Sequence, residues 1–137
     1  MVIKGQDVKN INGDEEANTL KTDCFPDQKV RLVIMNPPFG TPWGGKDEPE
    51  GQEKKVREEN KKGGRFDHCL HGTGDAQLLF MQHAINKLDE KNGRAAIITN
   101  SSPLFSGGTT SGESQIRRWM LEHDVTEAVM PLTPQHA

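Results

Sequence analysis

Tyrosine is absent, phenylalanine and tryptophan bring the aromatic share to only 5%, and just two cysteines are present. Cys24 and Cys69 lie far apart without C-x-x-C spacing, so neither a disulfide framework nor a paired-thiol metal site can be argued. No stretch reads as a secretory signal, and a reducing, cytoplasmic setting is expected. No run approaches the ~20 apolar residues of a membrane-spanning helix, so no membrane role is expected. Basic residues are not in excess either: 17 Lys and Arg face 20 Asp and Glu, for a net charge of −3. A stand-alone DNA binder usually carries a basic stripe that neutralises phosphates, and this chain has none. The apolar share is 32%, or about 42% once the 14 glycines among 137 residues are added, against a usual ~45–50%. That leaves one domain at most, rich in loops and thin in core.

What is present concentrates at one point. The apolar run Leu32-Val33-Ile34-Met35 leads directly into Asn36-Pro37-Pro38-Phe39. With Pro at ~5% usage, a chance Asn-Pro-Pro-aromatic is on the order of one in a thousand for a chain this long. Ligand sites of open α/β sheets lie outside the carboxyl ends of the strands, which is where this tetrapeptide falls. Each residue before a proline is pushed into extended geometry, and the prolines remove two backbone donors. The product is a stiff corner whose acceptors are the Asn36 side-chain oxygen and the Pro37 carbonyl, with Phe39 as a flat apolar plate. Such a corner suits an exocyclic amino group on a planar base. Two hydrogen bonds accepted from the amine favour its electron-rich, pyramidal form, and stabilisation that develops mainly in the transition state raises the rate. Stacking on Phe39 would hold a base extruded from a helix. A Pro-Pro turn capping a buried strand is the plain alternative, but turn chemistry alone requires neither that Asn nor that aromatic.

At these residues the chain resembles the S-adenosylmethionine-dependent amino-methyltransferases, and in particular the modification subunit of type I restriction–modification systems, which are N6-adenine DNA methyltransferases. Beside Val33-Ile34-Met35-Asn36-Pro37-Pro38-Phe39-Gly40, three segments carry the similarity: Asn18-Thr19-Leu20-Lys21-Thr22-Asp23; Asp75-Ala76-Gln77-Leu78-Leu79-Phe80-Met81-Gln82-His83 running into Gly93-Arg94-Ala95-Ala96-Ile97-Ile98; and Ile116-Arg117-Arg118-Trp119-Met120-Leu121-Glu122-His123-Asp124. The resemblance implies a Rossmann-like methyltransferase fold with S-adenosylmethionine as cofactor. It implies double-stranded DNA with a flipped adenine as substrate, and specificity and restriction subunits as partners. Asn36, Pro37, Pro38 and Phe39 are then the catalytic residues. Asp23 takes the acidic position after the family's third strand that contacts the cofactor's adenine, although Asp23 before Cys24-Phe25-Pro26 also reads as an ordinary turn residue. No metal is implied.

The family's glycine-rich cofactor turn and the acidic end of its second strand have no match here; Ile11-Asn12-Gly13-Asp14 reads as a turn. After residues 125–130 the family continues with Leu-Pro and apolar sequence, whereas this chain runs through Pro131-Leu132-Thr133-Pro134 and stops. The expectation is an incomplete fold, without its first two strands and its last, over residues 1–130, followed by an irregular tail at 131–137. Of the strands retained, only the family's fourth and fifth would be neighbours. The chain alone is then expected to be inactive. A non-catalytic remnant or interaction module that needs a partner chain stays open, as does a methyltransferase acting on an RNA base or a protein glutamine.

Around the tetrapeptide, residues 30–35 read as a strand. Residues 40–74 read as a long polar loop whose basic and acidic residues are equal in number, either a lid beside an extruded nucleotide or a solvated mobile loop. A helix is expected from Asp75 to about Lys91, ended by Gly93, then a buried strand at 94–99, a loop at 100–112, a second helix at 113–123 and a short strand at 125–130. Alternation of strand and helix indicates an α/β class with a largely parallel sheet. His68, Cys69 and His71 are too few and wrongly spaced for a structural zinc site. Gly72-Thr73-Gly74 reads as a helix-start loop or a weak anion cradle. Phe105 is either a second plate near the base or packing.

Overall fold

The computed structural model describes residues 18–132; the turn expected at 11–14 and residues 133–137 of the expected tail lie outside them. Two strands form a parallel sheet, β1 (Leu32–Met35) beside β2 (Arg94–Ile97), with Leu32 opposite Arg94 and Met35 opposite Ile97. A parallel pair needs a crossover of a dozen residues or more, supplied here by α1 (Gln52–Lys61) and α2 (Gln77–Lys87). Two helices follow β2, the short α3 (Ser102–Phe105) and α4 (Gly112–Glu122).

Helix α2 fills the role its apolar periodicity predicts, burying Leu78, Leu79 and Ala84 together with Gln77 and Gln82. Its last residues return beside the start of β1: the Lys87 carbonyl accepts from Val30 N–H at 2.8 Å, and Val30 bridges to Leu88. Gly93 then admits the chain to β2, since a Cβ there would stand 2.5 Å from the Asp89 carbonyl oxygen. The α2 N-terminus consequently lies at the carboxyl ends of both strands and its C-terminus at their amino ends.

Three expectations are corrected. The segment 40–74 is not a structureless loop, because α1 occupies its middle. This helix is held by a Glu53–Arg57 pair at 2.6 Å one turn apart, with acid in its first turn and Lys61 in its last, an order that suits the helix dipole. Residues 125–130 carry no strand ladder. After Asp124 turns at φ 53°, Glu127 pairs with Arg94 of the sheet at 3.2 Å, but among the described residues no backbone ladder joins this segment to it. Residues 18–21, ahead of Asp23 where the resemblance implies the family's third strand, form a turn, because the Asn18 side-chain oxygen accepts from Leu20 and Lys21 N–H and its carbonyl from Lys21 and Thr22.

The packed centre lies on the helical side of the sheet, where Leu20, Trp43, Val56, Phe66, Ala76 and Leu79 form one buried cluster. The strands themselves are poorly covered: Leu32 is 59% and Ile34 77% exposed.

Candidate functional site

Asn36 begins where the ladder ends, just past Met35, whose carbonyl accepts from Ile98 N–H at 2.9 Å. Its side chain is exposed and has no hydrogen-bond partner among the described residues. Pro37 is buried and anchors the corner, while Phe39 stands 47% exposed. Gly40 then turns the chain at φ +61°, a left-handed conformation that favours glycine. These four residues therefore present one free amide and one half-exposed ring at the carboxyl edge of the sheet.

Beyond the corner the chain is pinned. The Thr41 carbonyl accepts from Ala76 N–H, and Trp43 N–H donates to the Thr73 carbonyl, both at 2.9 Å. The Trp43 indole is wholly buried and donates through Nε1 to the Gly72 carbonyl at 3.0 Å. At the neighbouring strand end, Gln77 makes a reciprocal amide pair with Asn100, donating to its Oδ1 at 2.9 Å and accepting from its backbone N–H at 3.2 Å. Gln77 also donates to Asp75 Oδ2 at 2.7 Å. The carboxyl ends of both strands are thus tied to the α2 N-terminus. Gln77 was invisible in sequence, since a single Gln has no pattern; its setting between Asp75 and a long apolar helix was the only cue.

Next to this edge lies an open cleft of about 200 Å³ lined by His71, Asp75, Gln77, Pro103 and Glu113 among others. Burial pushes the His71 imidazole below its ordinary range, and its Nε2–H donates to the Asp75 carbonyl at 2.6 Å. Burial would raise the Glu113 carboxyl, but bonds from its own and the Gly72 backbone N–H outweigh that and hold it low. His68 stacks on Trp119 with ring centroids 3.5 Å apart. Among the described residues no group of three or more His, Cys, Asp or Glu could hold a metal ion. Phe105, at the end of α3, is 77% exposed.

Asp23 is not brought together with the tetrapeptide. Its Oδ2 pairs with Lys87 Nζ at 2.7 Å and its Oδ1 accepts from Phe25 N–H at 3.0 Å. Burial opposes ionisation there, yet the Lys87 bond and the Phe25 N–H hold the carboxyl below its ordinary value. Lys87 adjoins Val30, six positions before Asn36, and at ~3.3 Å per residue that is about 20 Å along the strand. Asp23 therefore sits at the amino end of the sheet with both oxygens occupied.

The βαβ unit with a chemically free corner at its carboxyl edge places the protein in the α/β class, and its likeness to solved structures narrows this to a methyltransferase fold. The crystal structure of the type I restriction-modification system methyltransferase subunit from Streptococcus thermophilus superposes with a TM-score of 0.61 at 28% identity, covering 77% of this chain and 20% of that one. The chain belongs to the N-6 DNA methylase family, whose pattern matches residues 1–136. It is 34% identical over 91 residues to the type I restriction enzyme EcoKI methylase subunit of Escherichia coli and to the StySJI methylase subunit of Salmonella typhimurium. Those alignments take in 66% of this chain and 14% of each relative. No helix among the described residues is long and apolar enough to cross a membrane.

Proposed function

We propose that the chain carries the target-base half of an N6-adenine DNA methyltransferase, the modification subunit of a type I restriction–modification system. The observation that supports it is the exposed, unpartnered Asn36 amide fixed at the carboxyl edge of the sheet beside the half-exposed Phe39 ring. In this reading the Asn36 Oδ1 and the Pro37 carbonyl accept the two N–H bonds of a flipped adenine, and Phe39 stacks on the base. Pro38 keeps the corner rigid. Both hydrogen bonds strengthen as the attacking nitrogen takes on positive charge, so their contribution falls on the transition state.

S-adenosylmethionine is the methyl donor this reading requires. The acidic residue that the resemblance assigns to it, Asp23, is already paired with Lys87 in this structure. DNA recognition is assigned to companion specificity subunits, in keeping with the net charge of −3. The test is to graft residues 18–132 into the corresponding region of a full-length type I modification subunit and to measure N6-methyladenine in DNA by mass spectrometry. The graft should methylate, and Asn36→Ala should abolish product while leaving methyl-donor binding nearly intact. Unchanged methylation by Asn36→Ala would remove the assignment.

A further inference from the structure

The corner from Asn36 to Phe39 is short, and what holds its far side comes from α1, the helix within the segment that read as a loop. Gln52 is 3% exposed, although it is a polar residue in the first turn of a highly charged helix. Both ends of its amide are used: Nε2 donates to the Trp43 carbonyl at 3.1 Å, and Oε1 accepts from Asn18 Nδ2 at 2.8 Å. The next residue, Glu53, accepts from Gly45 N–H at 2.9 Å through Oε2. Two successive side chains therefore grip the backbone on either side of Gly44. The grip is close, for a Cβ at Gly44 would stand 2.7 Å from Glu53 Oε2 and 2.8 Å from Thr73 Cγ2. Val56, one turn after Gln52, is buried in the same cluster as the Trp43 ring, and the Arg57 guanidinium lies 5.4 Å from its centroid.

We propose that Gln52 is a positioning residue for the target-base corner, acting through Trp43 on Phe39 and Asn36. The buried amide is bonded at both ends, so its removal would leave the Trp43 carbonyl without that donor and free the segment on the α1 side. Only Phe39 to Pro42 lie between Pro38 and Trp43, and Thr41 among them is bonded to Ala76. Fixing Trp43 from the α1 side therefore leaves the Phe39 ring little latitude. The inference rests on the methyl-transfer reading for its purpose, but the geometry it predicts is measurable without that reaction.

The experiment places 4-fluorophenylalanine at position 39 of the intact chain and records its fluorine resonance with amide hydrogen exchange, in the absence of DNA and methyl donor. Gln52→Met keeps the side-chain length and removes both hydrogen bonds. It should shift or broaden the Phe39 resonance and speed exchange of the Trp43 amide on the order of tenfold. Gly44→Ala should do the same by displacing the Glu53 carboxylate, and it decides the question if Gln52→Met does not fold. Ile116→Val, a buried substitution outside the Trp43 cluster, should leave the Phe39 resonance unchanged. An unmoved resonance in the folded Gln52 or Gly44 variant overturns the proposal, and so does an equal change in Ile116→Val. Neither result bears on Asn36→Ala, which judges the methyl-transfer reading separately.

Discussion

The Trp43 indole and the Gly72 carbonyl, 29 positions apart in sequence, meet in a 3.0 Å hydrogen bond that joins the segment after the Asn36–Phe39 corner to the loop preceding α2. The ring is fully buried, and its backbone N–H and carbonyl are both bonded as well. Trp43→Phe should therefore destabilise on the order of 2 kcal/mol, combining a lost hydrogen bond with a partial cavity. The urea midpoint followed by circular dichroism checks this. An unchanged midpoint would show that the segment is not held here.

A second prediction concerns pH. Burial and the adjacent Arg65 guanidinium push His83 down to about 4, with Asp23 and Glu59 opposing and Lys87 assisting. A guanidinium only donates, so the 3.0 Å contact between Arg65 Nη1 and His83 Nδ1 requires a bare nitrogen on the imidazole. The unfolded chain takes up its proton near 6.5 and the folded chain only near 4. Stability contributed by this group is thus complete above 6.5 and falls as pH drops between those values, at up to about 1.4 kcal/mol per pH unit. His83→Gln keeps an acceptor for Arg65 without a titrating ring. It should flatten the stability profile between pH 6.5 and 4, as read by denaturant midpoints across that range. A profile of the same slope in the variant would exclude His83 as its source.

How much of this was legible in advance depended on whether a residue's role had a periodicity to betray it. The runs at 32–35 and 95–97 are apolar and short, and both became strands, but the second, expected to be buried, lies largely exposed because the described residues leave one of its faces uncovered. Helix α2 repeats apolar residues at helical spacing, so its core was readable while its end was placed about four residues late: Asp89 accepts from Lys91 and Asn92 N–H in a turn instead. Helix α1 escaped notice because Val56 is its only apolar residue, and a run of balanced charges reads equally well as solvated loop. Residues 125–130 show the converse failure. Their pattern is that of a strand, but a strand exists only where another backbone pairs with it. The tetrapeptide stood out by composition alone. Its supports, Gln52 and Gln77, did not, since a buried amide is recognised by its partners and those lie 9 and 23 positions away.

The position of Asp23 makes a third prediction about the methyl donor. Its carboxylate is paired to Lys87 at the amino end of the sheet, away from Asn36, so an adenosine moiety could use it only by displacing that pair. Titration calorimetry of the chain with S-adenosylmethionine should give no heat beyond dilution. Asp23→Asn should instead lower thermal stability through loss of the Lys87 pair. Tight binding that Asp23→Asn abolishes would restore the cofactor role to this residue.

The exposed face of the sheet carries the last prediction. Leu32 and Ile34 alternate with Val33 and Met35 along β1, so they share one face, and their partners in register are Arg94 and Ala96. Each of the two strands has one ladder edge unpaired among the described residues. Unpaired edges beside exposed apolar side chains template association between chains. Ile34→Lys places a charge on that face at a position already 77% exposed, where little native packing is lost. The substitution should leave the denaturant midpoint within about 0.5 kcal/mol of the parent and should reduce concentration-dependent self-association in sedimentation velocity. Self-association that persists unchanged would locate it elsewhere, with the apolar residues 129–132 as the next surface to alter.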